Sequence, residues 1–352
     1  MDNAGATPQA ARVASRRVRA LDLLRLLAAL QMVQGHTIDA VLSASYRSGG
    51  VHQAWIWCRG LTSVAFLFAA GASFHLATLR DFARHREDRG AVAGRFRRAI
   101  TLVLIGYALH FPFWLPLLGS APASAALRQA VLVDVLQCIG ASLFVLEGLV
   151  VVLPSARAVE AAGAVLALAL FALSPLAARV EASGPWLPLL DYVTRRGGSL
   201  FPLLPWAAHI MFGVACGGLL LSSPRPGLRL SAAAALLFAA GRLLPAAAAP
   251  LPDHLQRLGC VLLVLALLSQ FEAASRALPR WVFRLSGETL FIYVFHVVLA
   301  YGDGLGLAAA VGRRLAPGPA VLVAAAMIAL AFGGALVYRR AAGGLARSTK
   351  AG

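Results

Sequence analysis

The sequence predicts an all-α protein, a polytopic integral membrane bundle of about ten transmembrane helices. Hydrophobic residues make up 59% of the chain, charged residues make up only 13%, and the mean hydropathy is +0.75. Apolar runs of about 20 residues recur along the 352 residues. Each run is long enough to cross a hydrocarbon core of about 30 Å. This composition excludes a soluble domain.

The apolar runs divide the chain into one long membrane domain with a short tail at each end. We expect cytoplasmic tails at 1–18 and 341–352 and a multi-pass domain over 19–340. The predicted helices are 20–43, 55–79, 97–118, 128–153, 158–178, 200–222, 228–246, 255–273, 286–309 and 319–338.

Basic residues between the apolar runs predict the orientation of the bundle. About twice as many of them fall on the side of the N-terminus, so we expect both termini in the cytoplasm. The net charge of +17 comes from arginines in short loops, which is a topology signal and does not indicate nucleic-acid binding. Lys350 is the only lysine, a bias that favours a bacterial source and hence the bacterial inner membrane.

The first predicted helix carries the most unusual pattern, a polar stripe inside an apolar segment. At about 100° per residue, Asp22, Arg25, Met32 and His36 share a stripe roughly 80° wide. Arg25 and His36 lie about three turns apart, which is roughly 16 Å. Ionisable groups inside a membrane are functional by default. The structural alternative is that Asp22 and Arg25 only pair with each other at i,i+3.

Two further groups of side chains are candidates for binding. On the outer side we expect His52, Trp57 and Arg59 to approach the same face as His36. On the cytoplasmic side, the 80–98 loop is the densest cationic patch. It predicts either an anchor on anionic lipid headgroups or a clamp for a phosphorylated ligand, because guanidinium groups match phosphate oxygens.

Metal and disulfide chemistry are not expected. Cys58, Cys138, Cys216 and Cys260 lack paired spacing, and the histidines lack the clustered spacing of metal ligands.

Several motifs in order resemble two related groups of membrane acyltransferases over residues 17–300. Arg-x10-His, at Arg25 and His36, matches the acyltransferase-3 pattern. Other motifs resemble the bacterial branch similar to the catalytic domain of heparan-α-glucosaminide N-acetyltransferase. They are Trp-x-Arg-Gly-Leu-Thr at 57–62, Asp-x-Leu-Gln at 134–137, Phe-Pro-x-x-Pro-Trp at 201–206 and Ser-Gly-x-Thr-Leu-x-Ile-Tyr-x-x-His at 286–296.

The resemblance implies transfer of an acyl group, with acetyl expected, from cytoplasmic acyl-CoA to a hydroxyl or amine of an extracytoplasmic glycan or glycolipid. It places the key histidine at His36 by one pattern and at His52 by the other, and we favour His36. That imidazole acts either as general base or as acyl carrier. The expected supporting residues are Asp22 and Arg25 for catalysis, Arg84, Arg97 and Arg98 for acyl-CoA, and Arg59, Trp57 and His296 for the acceptor.

Two other functions stay open at this point. One is a transporter or flippase in which Asp22, Arg25 and His36 relay protons or ions. The other is a non-catalytic sensor of acyl-CoA or lipid on the same fold. Membrane lipid is an expected partner in every case, and a homo-oligomer is left open.

Overall fold

The computed structural model describes residues 18–111, 128–181, 183–221, 225–302 and 305–348. These residues form helices and no strand, with one isolated bridge between Leu42 and Leu315. The helices of thirteen or more residues within these ranges are α1 (Arg19–Val41), α2 (Gly49–Thr78), α3 (Arg89–His110), α4 (Val135–Val152), α5 (Ala156–Ala177), α6 (Leu203–Leu221), α7 (Pro226–Leu243), α8 (Leu251–Gln270), α9 (Thr289–Tyr301) and α10 (Pro317–Ser348).

A helix overlaps each apolar segment that the sequence predicts, so the all-helical fold is confirmed. Three starts differ by six or more residues: α2 begins six residues before the predicted 55, α3 begins eight residues before the predicted 97, and α4 begins seven residues after the predicted 128. Much of the cationic 80–98 segment is therefore helix rather than loop. The end of the third predicted segment and nearly all of the N-terminal tail lie outside the described residues. At the other end, α10 continues past the predicted boundary at 340.

Within the described ranges, five helical stretches are long and apolar enough to cross a membrane, and the count of ten spans stays a prediction. Two shorter apolar helices, Leu203–Gly218 and Thr289–Tyr301, accompany them. The five are Gly49–Glu87, Val135–Val152, Ala156–Ala177, Leu251–Gln270 and Pro317–Ala342.

The start of α4 explains why the Asp-x-Leu-Gln element has its spacing. The Asp134 carboxylate accepts a hydrogen bond from the amide of Val135 at 2.7 Å, and Gln137 Oε1 accepts one from the amide of Asp134 at 3.2 Å. The first amides of a helix have no partner within the helix, and this reciprocal capping box supplies partners. The motif therefore fixes where α4 begins.

Helix α1 lies in the middle of the bundle, where it contacts α2, α8, α9 and α10. Next to it, α2 packs against α6 so closely that their backbones touch. A Cβ added to Gly71 would lie 1.9 Å from the carbonyl oxygen of Ile210, and one added to Gly213 would lie 2.3 Å from that of Phe68. The small residues of the second segment thus allow close helix contact.

Replacing Gly71 with alanine should destabilise the bundle because the new methyl group meets backbone that cannot move aside. Overpacking of this kind costs about 1–3 kcal/mol. We expect Gly71→Ala to lower the unfolding temperature of the detergent-solubilised protein. The matched control is Gly148→Ala within α4, where no atom lies within 4 Å of the added Cβ. Equal unfolding temperatures for the two variants would contradict this packing.

Candidate functional site

One face of α9 holds both polar groups of the α1 stripe. Thr289, Tyr293 and His296 are spaced i, i+4 and i+7, so they share a face. Arg25 Nη2 donates a hydrogen bond to Thr289 Oγ1 at 3.1 Å. His36 Nδ1 lies 3.1 Å from His296 Nε2. The two side chains that the sequence places three turns apart on α1 therefore meet a common partner helix.

The His36–His296 pair has one buried and one accessible member. His296 is fully buried, whereas His36 is partly exposed. Their ring centroids are 5.1 Å apart, and His296 Nδ1 lies 2.7 Å from the carbonyl oxygen of Ile292 one turn earlier. The Tyr301 hydroxyl donates to the carbonyl oxygen of His36 at 3.0 Å. Both the ring and the backbone of His36 are thus held by α9.

Beyond His36, α1 ends in a charged cluster formed with the start of α2. The Asp39 carboxylate accepts a hydrogen bond from Arg47 at 2.9 Å and lies 3.4 Å from an Arg59 nitrogen. The Arg59 guanidinium lies over the Trp55 ring, 5.5 Å from its centroid, and His52 is 5.5 Å from the same ring. Two cations therefore surround one carboxylate beside the histidine pair.

Of the residues predicted on this side, Arg59 and His296 lie in or beside this group. His52 contacts Trp55, and among the described residues no hydrogen bond or ring contact joins His52 to His36. Trp57 lies on α2, two residues after Trp55.

A cavity of about 300 Å³ lies between α1, α2, α3, α4 and α9, at the Arg25 end of the polar stripe. Its polar lining consists of guanidinium and hydroxyl groups, and its remaining walls are largely apolar, with Phe66, Leu102 and Leu136 among them. The polar lining residues are Arg25, Ser73, Arg95, Arg98, Thr289 and Tyr293. A ligand that combines an anionic group with an apolar or extended segment suits such a lining.

The cavity receives only one of the three arginines predicted to bind acyl-CoA. Arg98 lines it, whereas Arg84 and Arg97 are exposed, and Arg84 lies 3.9 Å from Asp81. Sequence reasoning missed Arg95 because the segment was interpreted as a loop. In the helix that begins at Arg89, positions 95, 98 and 102 share the face that lines the cavity. A helical pattern counted from residue 89 would have identified Arg95 as a residue of the cavity face.

Tyr293 connects the cavity to the histidine pair. Its side chain lines the cavity, and its ring packs edge-on against His296 with centroids 5.8 Å apart. The Tyr293 hydroxyl points to Asp134 Oδ2 at 3.4 Å, and His110 Nε2 lies at the same distance from that oxygen. Asp22, by contrast, is buried in the first turn of α1.

No set of three or more His, Cys, Asp or Glu side chains suited to a metal ion occurs in the part of the chain that the structure describes. The cation-lined cavity is the candidate site for an anionic cofactor.

These features define a helical membrane protein in which a cation-lined cavity adjoins a histidine pair between α1 and α9. The model of the family described as heparan-alpha-glucosaminide N-acetyltransferase, catalytic, matches residues 17–244. The match covers more than half of the chain, so the protein belongs to this family of membrane acetyltransferases. No curated protein matches the chain. The family match includes Arg25 and His36, and α9 lies beyond it.

The charged cluster around Asp39 should contribute measurably to stability. Asp39→Asn leaves two partly buried arginines without their carboxylate, at a cost of about 1–3 kcal/mol. The side chains of Asp39 and Arg47 are 22% and 18% exposed, whereas those of the control pair Asp81 and Arg84 are 72% and 85% exposed. We expect Asp39→Asn to lower the unfolding temperature in detergent and Asp81→Asn to leave it nearly unchanged. Similar shifts for both variants would contradict this assignment.

Proposed function

We propose that this protein transfers an acyl group, with acetyl as the first candidate, from cytoplasmic acyl-CoA to an extracytoplasmic acceptor. The acceptor is a hydroxyl or amine of a glycan or glycolipid. Family membership supports the reaction class. The observation that carries the proposal is the shared face of α9, which binds Arg25 beside the cavity through Thr289 and His36 through His296.

The proposed arrangement is a bundle of ten spans in the bacterial inner membrane with both termini in the cytoplasm. Arg25 and the cavity then lie toward the cytoplasm, and His36 lies toward the outer side. The acyl-pantetheine arm of acyl-CoA then extends along α1 from Arg25 to His36, over roughly 16 Å.

The cavity residues suit the donor. Phosphate groups of CoA would bind the guanidinium groups of Arg95 and Arg98, which form charge-assisted hydrogen bonds with phosphate oxygens. A cavity of about 300 Å³ is at the lower end of the range for ligand pockets, so it suits the acyl-pantetheine end better than a whole nucleotide. Arg98 is exposed, which supports a binding position for the nucleotide at the mouth of the cavity.

In the proposed reaction, His36 removes the proton from the acceptor hydroxyl or amine as that atom attacks the thioester carbonyl. A C–O or C–N bond forms, the C–S bond breaks, and the thiolate of CoA leaves and takes a proton. If the imidazole instead carries the acyl group first, the same residue is the nucleophile. His52 is the alternative key histidine, from the heparan-type pattern.

The proposed function predicts acceptor-dependent release of free thiol from acetyl-CoA by the purified protein in nanodiscs supplied with cell-envelope glycan extracts. Loss of the base should lower the rate at least 100-fold in His36→Ala, because general base catalysis contributes about 10²–10⁴. His52→Ala should stay within a few-fold of the unaltered protein.

Full activity of His36→Ala would overturn the assignment, and the reverse pattern would move the site to His52. No thiol release in any sample, together with solute flux in vesicles without acyl-CoA, would establish a transporter instead. Binding of acyl-CoA with no turnover would establish a sensor.

The affinity for CoA should distinguish the arginines that line the cavity from those outside it. Arg98→Gln and Arg95→Gln should weaken the binding of CoA by about tenfold or more, since a hydrogen bond to a charged group contributes about 1.5–3 kcal/mol. Arg84→Gln and Arg97→Gln are the matched controls and should bind CoA nearly as the unaltered protein does. Isothermal titration with CoA measures all four. Equal losses in all four would indicate a diffuse cationic surface rather than this cavity.

A further inference from the structure

The hydrogen bonds of the histidine pair determine where each proton lies. A carbonyl oxygen only accepts hydrogen bonds, so the 2.7 Å contact with Ile292 requires a hydrogen on His296 Nδ1. His296 is fully buried, and no carboxylate lies within ion-pair distance of it among the described residues. A charged imidazolium there would lose its hydration without compensation, so the ring is neutral. Its Nε2 therefore carries a lone pair.

The direction of the next hydrogen bond follows from this. His296 Nε2 accepts, so His36 Nδ1 must be the donor across the 3.1 Å contact. A neutral His36 then has its hydrogen on Nδ1 and its lone pair on Nε2. The two nitrogens of an imidazole point in different directions, so Nε2 does not face His296 when Nδ1 does. Within the described residues, no hydrogen bond involves His36 Nε2.

We infer that His296 is a positioning residue that holds His36 in the Nδ1–H tautomer and so makes His36 Nε2 the reacting nitrogen. The inference rests on the proposed function and gives His296 a different role from the acceptor contact that the sequence predicts. As the acceptor O–H or N–H bond breaks, a new N–H bond forms at His36 Nε2. The hydrogen bond from His36 Nδ1–H to His296 Nε2 stays intact throughout. In the acyl-carrier route the same Nε2 lone pair attacks the thioester carbonyl and the C–S bond breaks.

The tautomer is directly measurable. In protein labelled with ¹⁵N-histidine and reconstituted in nanodiscs, the His36 signals are identified by their loss in His36→Ala. We expect His36 Nδ1 to give a protonated ¹⁵N signal and Nε2 an unprotonated one. In His296→Phe, which keeps a ring and removes the acceptor, the Nε2–H tautomer should become the main form. A His36 that is already in the Nε2–H form in the unaltered protein would overturn the inference.

The rate of acyl transfer by variants of His296 is the second test of this inference. Loss of the group that orients a metal-binding histidine typically costs 10–100-fold. We expect a loss of similar size here, so His296→Phe should lower kcat by about that factor with the KM for acetyl-CoA unchanged. His296→Gln restores an accepting oxygen and should recover most of the rate. A rate for His296→Gln as low as that of His296→Phe would overturn the positioning role.

The control lies in the second buried histidine pair, in which His209 Nε2 and His254 Nδ1 are 3.0 Å apart on α6 and α8. His254→Gln changes a buried histidine pair elsewhere and should leave the tautomer of His36 unchanged. A tautomer change in that variant would overturn the inference, since it would show a general effect of perturbing the bundle. If the expected tautomer is found but no acceptor supports thiol release, the proposed function fails. The assignment of His36 as donor and His296 as acceptor then still holds.

Discussion

The contact between α1 and α9 is the constraint on which the rest of the site depends. Polar side chains inside a membrane lack water, so each requires a partner from the protein. Arg25 and His36 are eleven residues apart, whereas Thr289 and His296 are seven apart. At 1.5 Å per residue the two spacings differ by about 6 Å. An arginine side chain is long enough to span this difference, and both hydrogen bonds form.

This arrangement assembles the site from distant parts of the sequence. The family match ends at residue 244, and α9 contributes Thr289, Tyr293 and His296 from beyond it. The histidine pair and the cavity therefore both require the C-terminal third of the chain. The matched region is sufficient to identify the family, but the site exists only when α9 packs against α1.

The sequence predicts the helices well because long apolar runs and the charged stripe on α1 are strong local signals. It also identifies Arg25, His36 and His296 individually. Periodicity within one helix shows which residues share a face, but not which helix packs against that face, so the pairing of His36 with His296 emerges only from the fold. Arg95 was missed because a dense run of arginines resembles a loop until the helix start at Arg89 is known.

The absence of a carboxylate beside His296, among the described residues, has a chemical consequence. In the inferred role of His296, a neutral histidine fixes the tautomer of His36 without the desolvation cost of a buried carboxylate. A neutral His296 also stabilises a protonated His36 less than a carboxylate would. The nearby Asp39 compensates only in part, because its carboxylate also interacts with Arg47 and Arg59. In the proposed reaction, a proton taken up by His36 is therefore held weakly, which favours its passage to the departing thiolate. An orienting group of this kind suits a base that must release its proton within each turnover.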